Sequence, residues 1–257
     1  MQTIGHRGGA SVPTTFTLTC TTTGAATLTL QKLTVAAGKT VTVSWGDTNS
    51  NNYTGTGART HAYAGAGTYT VTMSLAADII ELDLRDTKLS GSIDASNPMP
   101  TGLTSLTLYS LSLSWTVSAT APMPTGLTSL YLYSLSGLSW TSSSTVPIPT
   151  GLQTMVVTGC PSALFPYWTG ANAIRTVQLE NAYSQANVDA ICLGIWGNKP
   201  NFTYATPSLD ILGGSNATPS GIYQTASPPT TGKEYLYDLV NGSYTPAGPE
   251  WTVQYQT

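Results

Sequence analysis

Residues able to carry out acid–base or nucleophilic chemistry are few in this chain. It contains two histidines, His6 and His61, and no Asp, Glu, Lys or Arg occurs from Ala95 through Ile174. Serines are plentiful, but no Gly-x-Ser-x-Gly turn with triad partners is present. The Gly-rich stretch near the start lacks the lysine of a phosphate-binding loop. We therefore predict no catalytic residue, no cofactor and no enzymatic activity.

Two pairs of carboxylates come closest to a catalytic arrangement. Glycoside hydrolysis needs two carboxylic acids that flank the scissile bond. Asp83 with Asp86, or Glu180 with Asp189, could supply them from the two sides of the charge-free stretch. Both pairs are better explained as solvated surface, so a polysaccharide-degrading enzyme is disfavoured.

The segment DTNSN has some features of a calcium-binding loop. Asp47, Asn49 and Asn51 fit the first, third and fifth ligand positions. However, Asn52 stands where the turn glycine belongs, and Ala58 stands where a bidentate glutamate belongs. No metal site is predicted.

An aromatic cluster is the main candidate for a functional surface. Tyr109, Tyr131 and Tyr133 alternate with apolar residues, so their side chains point outward if these segments are strands. Thr107 and Val156 fall in the same outward columns, and we assign the five residues to a binding surface. Tyrosine combines apolar area with a hydroxyl, which suits contact with a sugar or a protein. The alternative is a tyrosine ladder that only stiffens the sheet.

A repeat of 24 to 25 residues positions these tyrosines. Its copies PMPTGLTSLTLYSLSLSWT, PMPTGLTSLYLYSLSGLSWT and PIPTGLQTMVVTGC begin at Pro98, Pro122 and Pro147. A fixed period in the twenties is typical of a solenoid, in which each repeat is one coil stacked on the last. The spacing Leu-x-x-Leu-x-Leu places the last two side chains on one face of a short strand.

The same spacing continues in both directions and gives six candidate rungs, the weakest around Leu209. We predict parallel strands whose inward residues are Leu82, Leu84, Leu106, Leu108, Leu130, Leu132, Met155, Val157, Val177 and Leu179. The returning segments, rich in Pro, Ser and Thr, are expected to be extended or irregular chain with Trp115 and Trp140 in the core. One return is predicted to be a helix, which begins after the N-cap Ser184 and ends near Asn198.

The repeat resembles the leucine-rich repeat, L-x-x-L-x-L-x-x-N/C-x-L. Cys160 stands at the Asn/Cys position of that family. Leu111 and Leu135 stand there in the other two copies, so we expect looser, irregular corners. The resemblance implies an irregular leucine-rich-repeat parallel β-solenoid, which we assign to residues 78–216.

The front of the chain, residues 1–77, has a different pattern. TFTLTC, ATLTLQKL, TVTVSW and TYTVTM alternate polar and apolar residues, as in an antiparallel sandwich. The segment VTVSWGD…HAYAGAGTYTVTM resembles the polycystic-kidney-disease (PKD) domain, with matches that include Trp45, Asp47, His61 and Tyr63, although Thr48 replaces a glycine. The resemblance implies a reduced PKD- or Ig-like β-sandwich that acts as a non-catalytic spacer or adhesion module. His61 could pair with Asp47, although a structural histidine in a strand is the simpler interpretation.

Residues 217–257 are predicted to cap the solenoid, with a short helix from Thr231 to Asn241 and a final strand in WTVQY.

The segments SLDILGGSNATPSGIYQ and PPTTGKEYLYDLVN, together with the PKD-like front, resemble surface proteins encoded by phages and prophages. This resemblance implies a virion surface protein, either a capsid decoration or an adhesive fibre component. Its partners would be other virion proteins or a host-surface glycan. Whether the chain forms homo-oligomers is left open by the sequence. The alternative is a bacterial cell-surface adhesin.

The amino-acid composition limits the fold class and the kinds of partner that we expect for this chain. The 257 residues are 40% hydrophobic and only 8% charged, with a net charge of −3, whereas about 25% charged residues is usual. We expect a mainly β protein with a few helices. The lack of a basic cluster argues against nucleic-acid binding, and the lack of a long apolar run argues against membrane insertion.

The N-terminus lacks the apolar core of a secretory signal. Cys20, Cys160 and Cys192 are expected to be buried free thiols.

Overall fold

The computed structural model describes residues 15–211, 215–226, 228–241 and 248–254. Over these residues the chain is mainly β, with two α-helices. The strands form an eight-stranded sheet, called sheet A, and a nine-stranded sheet, called sheet B. Apolar side chains from both sheets belong to one hydrophobic core. His6 and the N-terminal sequence, which we predicted not to be a secretory signal, lie outside the described residues.

The first six strands form antiparallel ladders. They are β1 (Thr15–Thr22), β2 (Ala26–Val35), β3 (Val41–Ser44), β4 (Ser50–Tyr53), β5 (Thr56–Tyr63) and β6 (Gly67–Ser74). The four segments with alternating polarity are therefore strands, and most of their apolar residues, such as Phe16 and Leu18, are buried. Strands β2 and β5 belong to sheet B, whereas the other four belong to sheet A.

The remaining strands alternate between the two sheets through most of the solenoid. They are β7 (Ile79–Leu84), β8 (Leu89–Ile93), β9 (Ser105–Tyr109), β10 (Ser112–Thr116), β11 (Ser129–Tyr133), β12 (Leu138–Thr141), β13 (Thr154–Thr158), β14 (Ser162–Leu164), β15 (Thr176–Glu180), β16 (Ser208–Asp210) and β17 (Thr252–Gln254).

The predicted rungs are parallel neighbours in sheet B. Strands β7, β9, β11, β13, β15 and β16 lie side by side in chain order, and β17 follows them. Leu130 lies opposite Leu106 on one side and Met155 on the other. All ten residues predicted to point inward are buried. The predicted register is therefore confirmed.

Sheet A holds a second strand in four successive coils, where we had expected extended or irregular chain. Strands β8, β10, β12 and β14 run parallel to one another. Their alternate residues, among them Leu113, Trp115 and Trp140, are buried because they close the core from the other side. The four coils with a strand in each sheet make this part a β-solenoid of about four turns.

The solenoid continues the sheets of the first six strands. Strand β1 pairs antiparallel with β8, and β2 pairs antiparallel with β7. The first coil is thus hydrogen-bonded to the preceding strands in both sheets.

The corners that follow β9 and β11 are regular, so the expectation of irregular corners at Leu111 and Leu135 was wrong. Ser110 and Ser134 each adopt a left-handed conformation with φ of 53°. The Ser110 N–H donates to the carbonyl of Tyr133 in the next coil at 2.9 Å, and Ser134 makes the same kind of bond. The neighbouring backbone therefore satisfies the turn without an asparagine side chain, and both leucines stay buried.

Two helices complete the described fold. Helix α1 (Gln185–Asn198) replaces the sheet A strand of its coil, and its N-cap Ser184 accepts the Asn187 N–H at 3.3 Å. Helix α2 (Gly232–Asn241) packs on α1 and buries Tyr235, Leu236 and Leu239. Both helices occur where the sequence predicted them, as does the final strand β17.

The three cysteines are buried and unpaired, as predicted. Burial raises the pKa of the Cys160 thiol to about 11 and raises the pKa of Cys192 further. The Cys160 N–H donates to Asn181 Oδ1 at 2.7 Å. These thiols belong to the packing of the core.

Candidate binding surface

The outward side of sheet B brings the predicted tyrosines together. Tyr131 lies opposite Thr107, and Tyr133 lies opposite Tyr109, because β9 and β11 pair in parallel register. The centroids of the Tyr109 and Tyr133 rings are 5.7 Å apart, and the ring planes are tilted by 45°. We call Arg85, Thr107, Tyr109, Tyr131 and Tyr133 the tyrosine face.

The tyrosine face is open to solvent. Tyr109 is 45% exposed, and Tyr131 and Tyr133 are half-buried. Burial raises the pKa of Tyr133, the neighbouring Tyr131 raises it further, and Arg85 lowers it. The rings therefore offer faces for stacking and hydroxyls for hydrogen bonds on the same surface.

Val156 does not contribute to this surface as predicted. It holds the outward position opposite Tyr131 and Gln178, yet only 6% of it is exposed. Its short side chain lies between two longer ones in the neighbouring strands. Val156 is therefore part of the floor between the tyrosines and the next rung.

An ion pair at the first rung completes the tyrosine face and was missed from the sequence. Arg85 Nε and Nη2 donate to the two oxygens of Asp83 at 2.8 and 2.9 Å. Hydrogen bonds to Asp83 raise the pKa of Arg85. Residues two apart in a strand share a face, and this signal could have predicted the pair.

A second polar pair lies beyond Val156. Gln178 Nε2 donates to Glu180 Oε1 at 2.8 Å. Gln178 is opposite Val156 on one side and Asp210 on the other. The outward side of sheet B thus carries polar pairs on both sides of the tyrosines.

Two open depressions follow from this arrangement. The first has a volume of about 290 Å³ and is lined by the tyrosine face. The second has a volume of about 240 Å³, and its polar lining includes Gln178, Asp210 and Gln254. Both lie on the outward side of sheet B, so a chain-like ligand could contact both.

The two carboxylate pairs predicted as solvated surface are instead bonded within the protein. Asp86 accepts the Thr29 N–H at 3.1 Å and the Lys88 ammonium at 2.6 Å. Asp189 accepts the Ser220 N–H at 2.9 Å, and Glu180 accepts Gln178. The bonds of Asp86 to Thr29 and of Asp189 to Ser220 join segments that are far apart in sequence, which the sequence spacing could not show.

The oxygens of the calcium-like segment are committed to other bonds. Asp47 Oδ1 accepts the Asn49 N–H at 3.2 Å, and Asp47 Oδ2 lies 2.7 Å from His61 Nε2. Asn51 Oδ1 accepts the Trp45 indole N–H at 2.8 Å. Within the described ranges, no group of three or more His, Cys, Asp or Glu residues could hold a metal ion.

Comparison with known proteins gives no match to a protein-family model, a curated protein or a solved structure. Among the helices of the described residues, none has the length and apolar character needed to cross a membrane.

Proposed function

We propose that this protein is a non-enzymatic surface protein of a phage virion that binds a neutral glycan of the host surface through the tyrosine face. The observation that carries the proposal is the solvent-open cluster of Tyr109, Tyr131 and Tyr133 on two adjacent rungs. The virion location rests on the resemblance of the sequence to phage surface proteins. A bacterial cell-surface adhesin would use the same surface.

The chemistry of the tyrosine face suits a sugar ring. A pyranose has an apolar C–H face that packs on an aromatic ring, and tyrosine provides area and a hydroxyl with little loss of side-chain freedom. The Asp83–Arg85 pair leaves Arg85 Nη1 as a donor and the remaining lone pairs of the Asp83 oxygens as acceptors beside the rings, where sugar hydroxyls can bond to them. The partner is expected to be uncharged, because opposite charges in this pair compensate each other.

The front strands are proposed to form a reduced PKD-like sandwich that supports the solenoid. Trp45 is fully buried, and its carbonyl accepts the Tyr63 hydroxyl at 2.8 Å. These are two of the residues that carry the resemblance to the family. On this proposal the front strands hold the binding surface away from the virion and do not bind the glycan.

The experiment is binding of Tyr131→Ser/Tyr133→Ser to an array of neutral oligosaccharides and to whole host cells. Outward positions contribute only about 0.2–1 kcal/mol per cross-strand pair, so the melting temperature should change little. Binding should weaken at least about tenfold, equivalent to about 1.4 kcal/mol. Tyr204→Ser is the matched control, because Tyr204 is exposed and stacks against Arg175 away from the tyrosine face.

Two results would overturn the proposal. Unchanged binding of the double variant would place the glycan elsewhere. Binding of the wild-type protein to charged glycans only would contradict the assignment of a neutral ligand. Immunogold labelling of purified virions tests the location separately.

A further inference from the structure

The outward side of sheet A is almost uniform in chemistry. Its outward positions carry Ser, Thr or Asn, as at Thr17 and Thr19 in β1 and at Ser112 and Ser114 in β10. The rows continue across the strands, since Thr19 lies opposite Ser90 and Ser90 lies opposite Ser112. The exception is the edge strand β14, where Leu164 is half-buried. We call this surface the hydroxyl face.

The two sheets differ sharply in charge. The eight strands of sheet A contain no Asp, Glu, Lys, Arg or His. Charged residues within strands occur in sheet B, for example Lys32, Glu81 and Asp83. Aromatic residues of sheet A, such as Trp115, point into the core. The hydroxyl face therefore lacks both the charges that nucleic acids need and the rings on which sugars stack.

Part of this face carries hydroxyls that are free to bond to a partner. Among the described residues, the hydroxyls of Ser112, Ser114, Thr116 and Ser139 make no hydrogen bond within the chain. By contrast, the Ser90 hydroxyl donates to the Thr19 carbonyl at 3.4 Å, and the Thr42 hydroxyl donates to Asn52 Oδ1 at 2.7 Å. Each hydroxyl both donates and accepts, so an array of them complements an identical array. A twofold interface requires such self-complementarity. A partner without charge also avoids the cost of burying an unpaired ion.

We infer that two copies of this chain pair through their hydroxyl faces. Seven strand spacings of about 4.8 Å and strands of about five residues give a face of about 34 by 17 Å. Two such faces would bury about 1,100 Å², which lies at the low end of specific interfaces. The dimer is therefore weak and reversible. It leaves both tyrosine faces uncovered, on opposite outer sides of the dimer.

Sedimentation equilibrium over a concentration series tests the pairing. The variant Ser92→Lys/Ser114→Lys places two lysines at opposed, exposed positions in the middle of the hydroxyl face. Its dimer dissociation constant should rise at least tenfold over that of the wild type. The matched control Thr27→Lys/Ala62→Lys places lysines at opposed, exposed positions of sheet B and should leave the constant unchanged. Thermal melting reports whether both variants are folded.

Crosslinking gives a second readout of the pairing, which does not require a variant that weakens the dimer. The three native thiols are buried, so a bis-maleimide should react with an introduced cysteine. Ser92→Cys should give a covalent dimer, and Thr27→Cys should not. A wild-type protein that stays monomeric at about 200 μM would overturn the inference. So would a covalent dimer that forms through Thr27→Cys alone. Because these tests need no glycan, their outcome is separate from that of the proposed function.

Discussion

The Asp47 carboxylate lies 2.7 Å from Nε2 of His61, and the His61 ring is stacked on Trp45 with 5.0 Å between ring centroids. The turn after β3 is thereby joined to the middle of β5, a strand of the other sheet. The pairing of His61 with Asp47, which the sequence left as the less simple interpretation, is present.

Asp47→Asn should lower the free energy of unfolding by about 1–2 kcal/mol near pH 7, because the hydrogen bond loses its charged acceptor. Burial raises the pKa of Asp47, but hydrogen bonds from His61 and Asn49 outweigh it and lower the pKa overall. The wild type should therefore lose this contribution as pH falls below about 4, and the variant should not. Urea unfolding at several pH values measures both effects. Exposed Glu250→Gln removes the same charge and is the control; an equal loss in the control would contradict a specific role for Asp47.

Glu234 should make the stability of the C-terminal cap depend on acid. Its carboxylate accepts the Thr230 N–H at 2.9 Å and the Thr231 N–H at 3.1 Å, as in a capping box. The Thr230 backbone bond and the Gln224 side chain lower the pKa of Glu234 to about 2. The contribution is present above about pH 4.5 and is lost as pH falls toward 2. Helix α2 should loosen over that range, measured by hydrogen exchange of its amides, and Glu234→Gln should show the loosened state already at pH 7.

Lys199→Met should be among the most destabilising single changes at the cap. Lys199 Nζ lies 3.1 Å from Asp238 Oδ2 and 2.8 Å from the Asp238 carbonyl, and both side chains are almost fully buried. Removing the lysine leaves a buried carboxylate without its counter-ion, which costs about 3–5 kcal/mol.

The double variant Lys199→Met/Asp238→Asn should recover part of that loss, since a neutral amide needs no counter-ion. The control is Lys32→Met, which breaks the more exposed pair with Glu81 and should cost at most about 1 kcal/mol. Denaturant titrations measure the loss in free energy of unfolding for each variant. Equal losses for Lys199→Met and Lys32→Met would contradict a larger contribution of the buried pair.

Two glycines at equivalent repeat positions should respond differently to alanine. A Cβ at Gly102 would overlap the Ala77 carbonyl, whereas a Cβ at Gly151 would meet the Leu127 carbonyl at 3.7 Å. Gly102→Ala should therefore destabilise the protein by about 1–3 kcal/mol through overpacking. Gly151→Ala should be neutral or stabilising by about 0.4–1 kcal/mol, because it restricts the unfolded chain. A lower melting temperature for Gly151→Ala than for Gly102→Ala would contradict the close approach of Gly102 to the Ala77 carbonyl.

The repeat predicted the parallel rungs because a fixed period forces equivalent leucines into register. It also predicted the contact between Tyr109 and Tyr133, which follows from the same register. The sheet A segments were not predicted to be strands because the alternation in SLSWT is short and was attributed to an extended or irregular return. Asp86 was misjudged because its partner Thr29 is 57 residues away in sequence. Val156 was misjudged because its burial depends on the lengths of its neighbours.

The antiparallel pairing of β1 with β8 and β2 with β7 gives the solenoid a starting edge in each sheet. During synthesis, each later rung then needs to find only the rung made one repeat earlier, which keeps loop-closure costs small. The protein can therefore fold from its N-terminus in step with the ribosome. A fragment that begins at β7 would lack this template. Until the last strands emerge, the growing end presents unpaired backbone groups that invite aggregation.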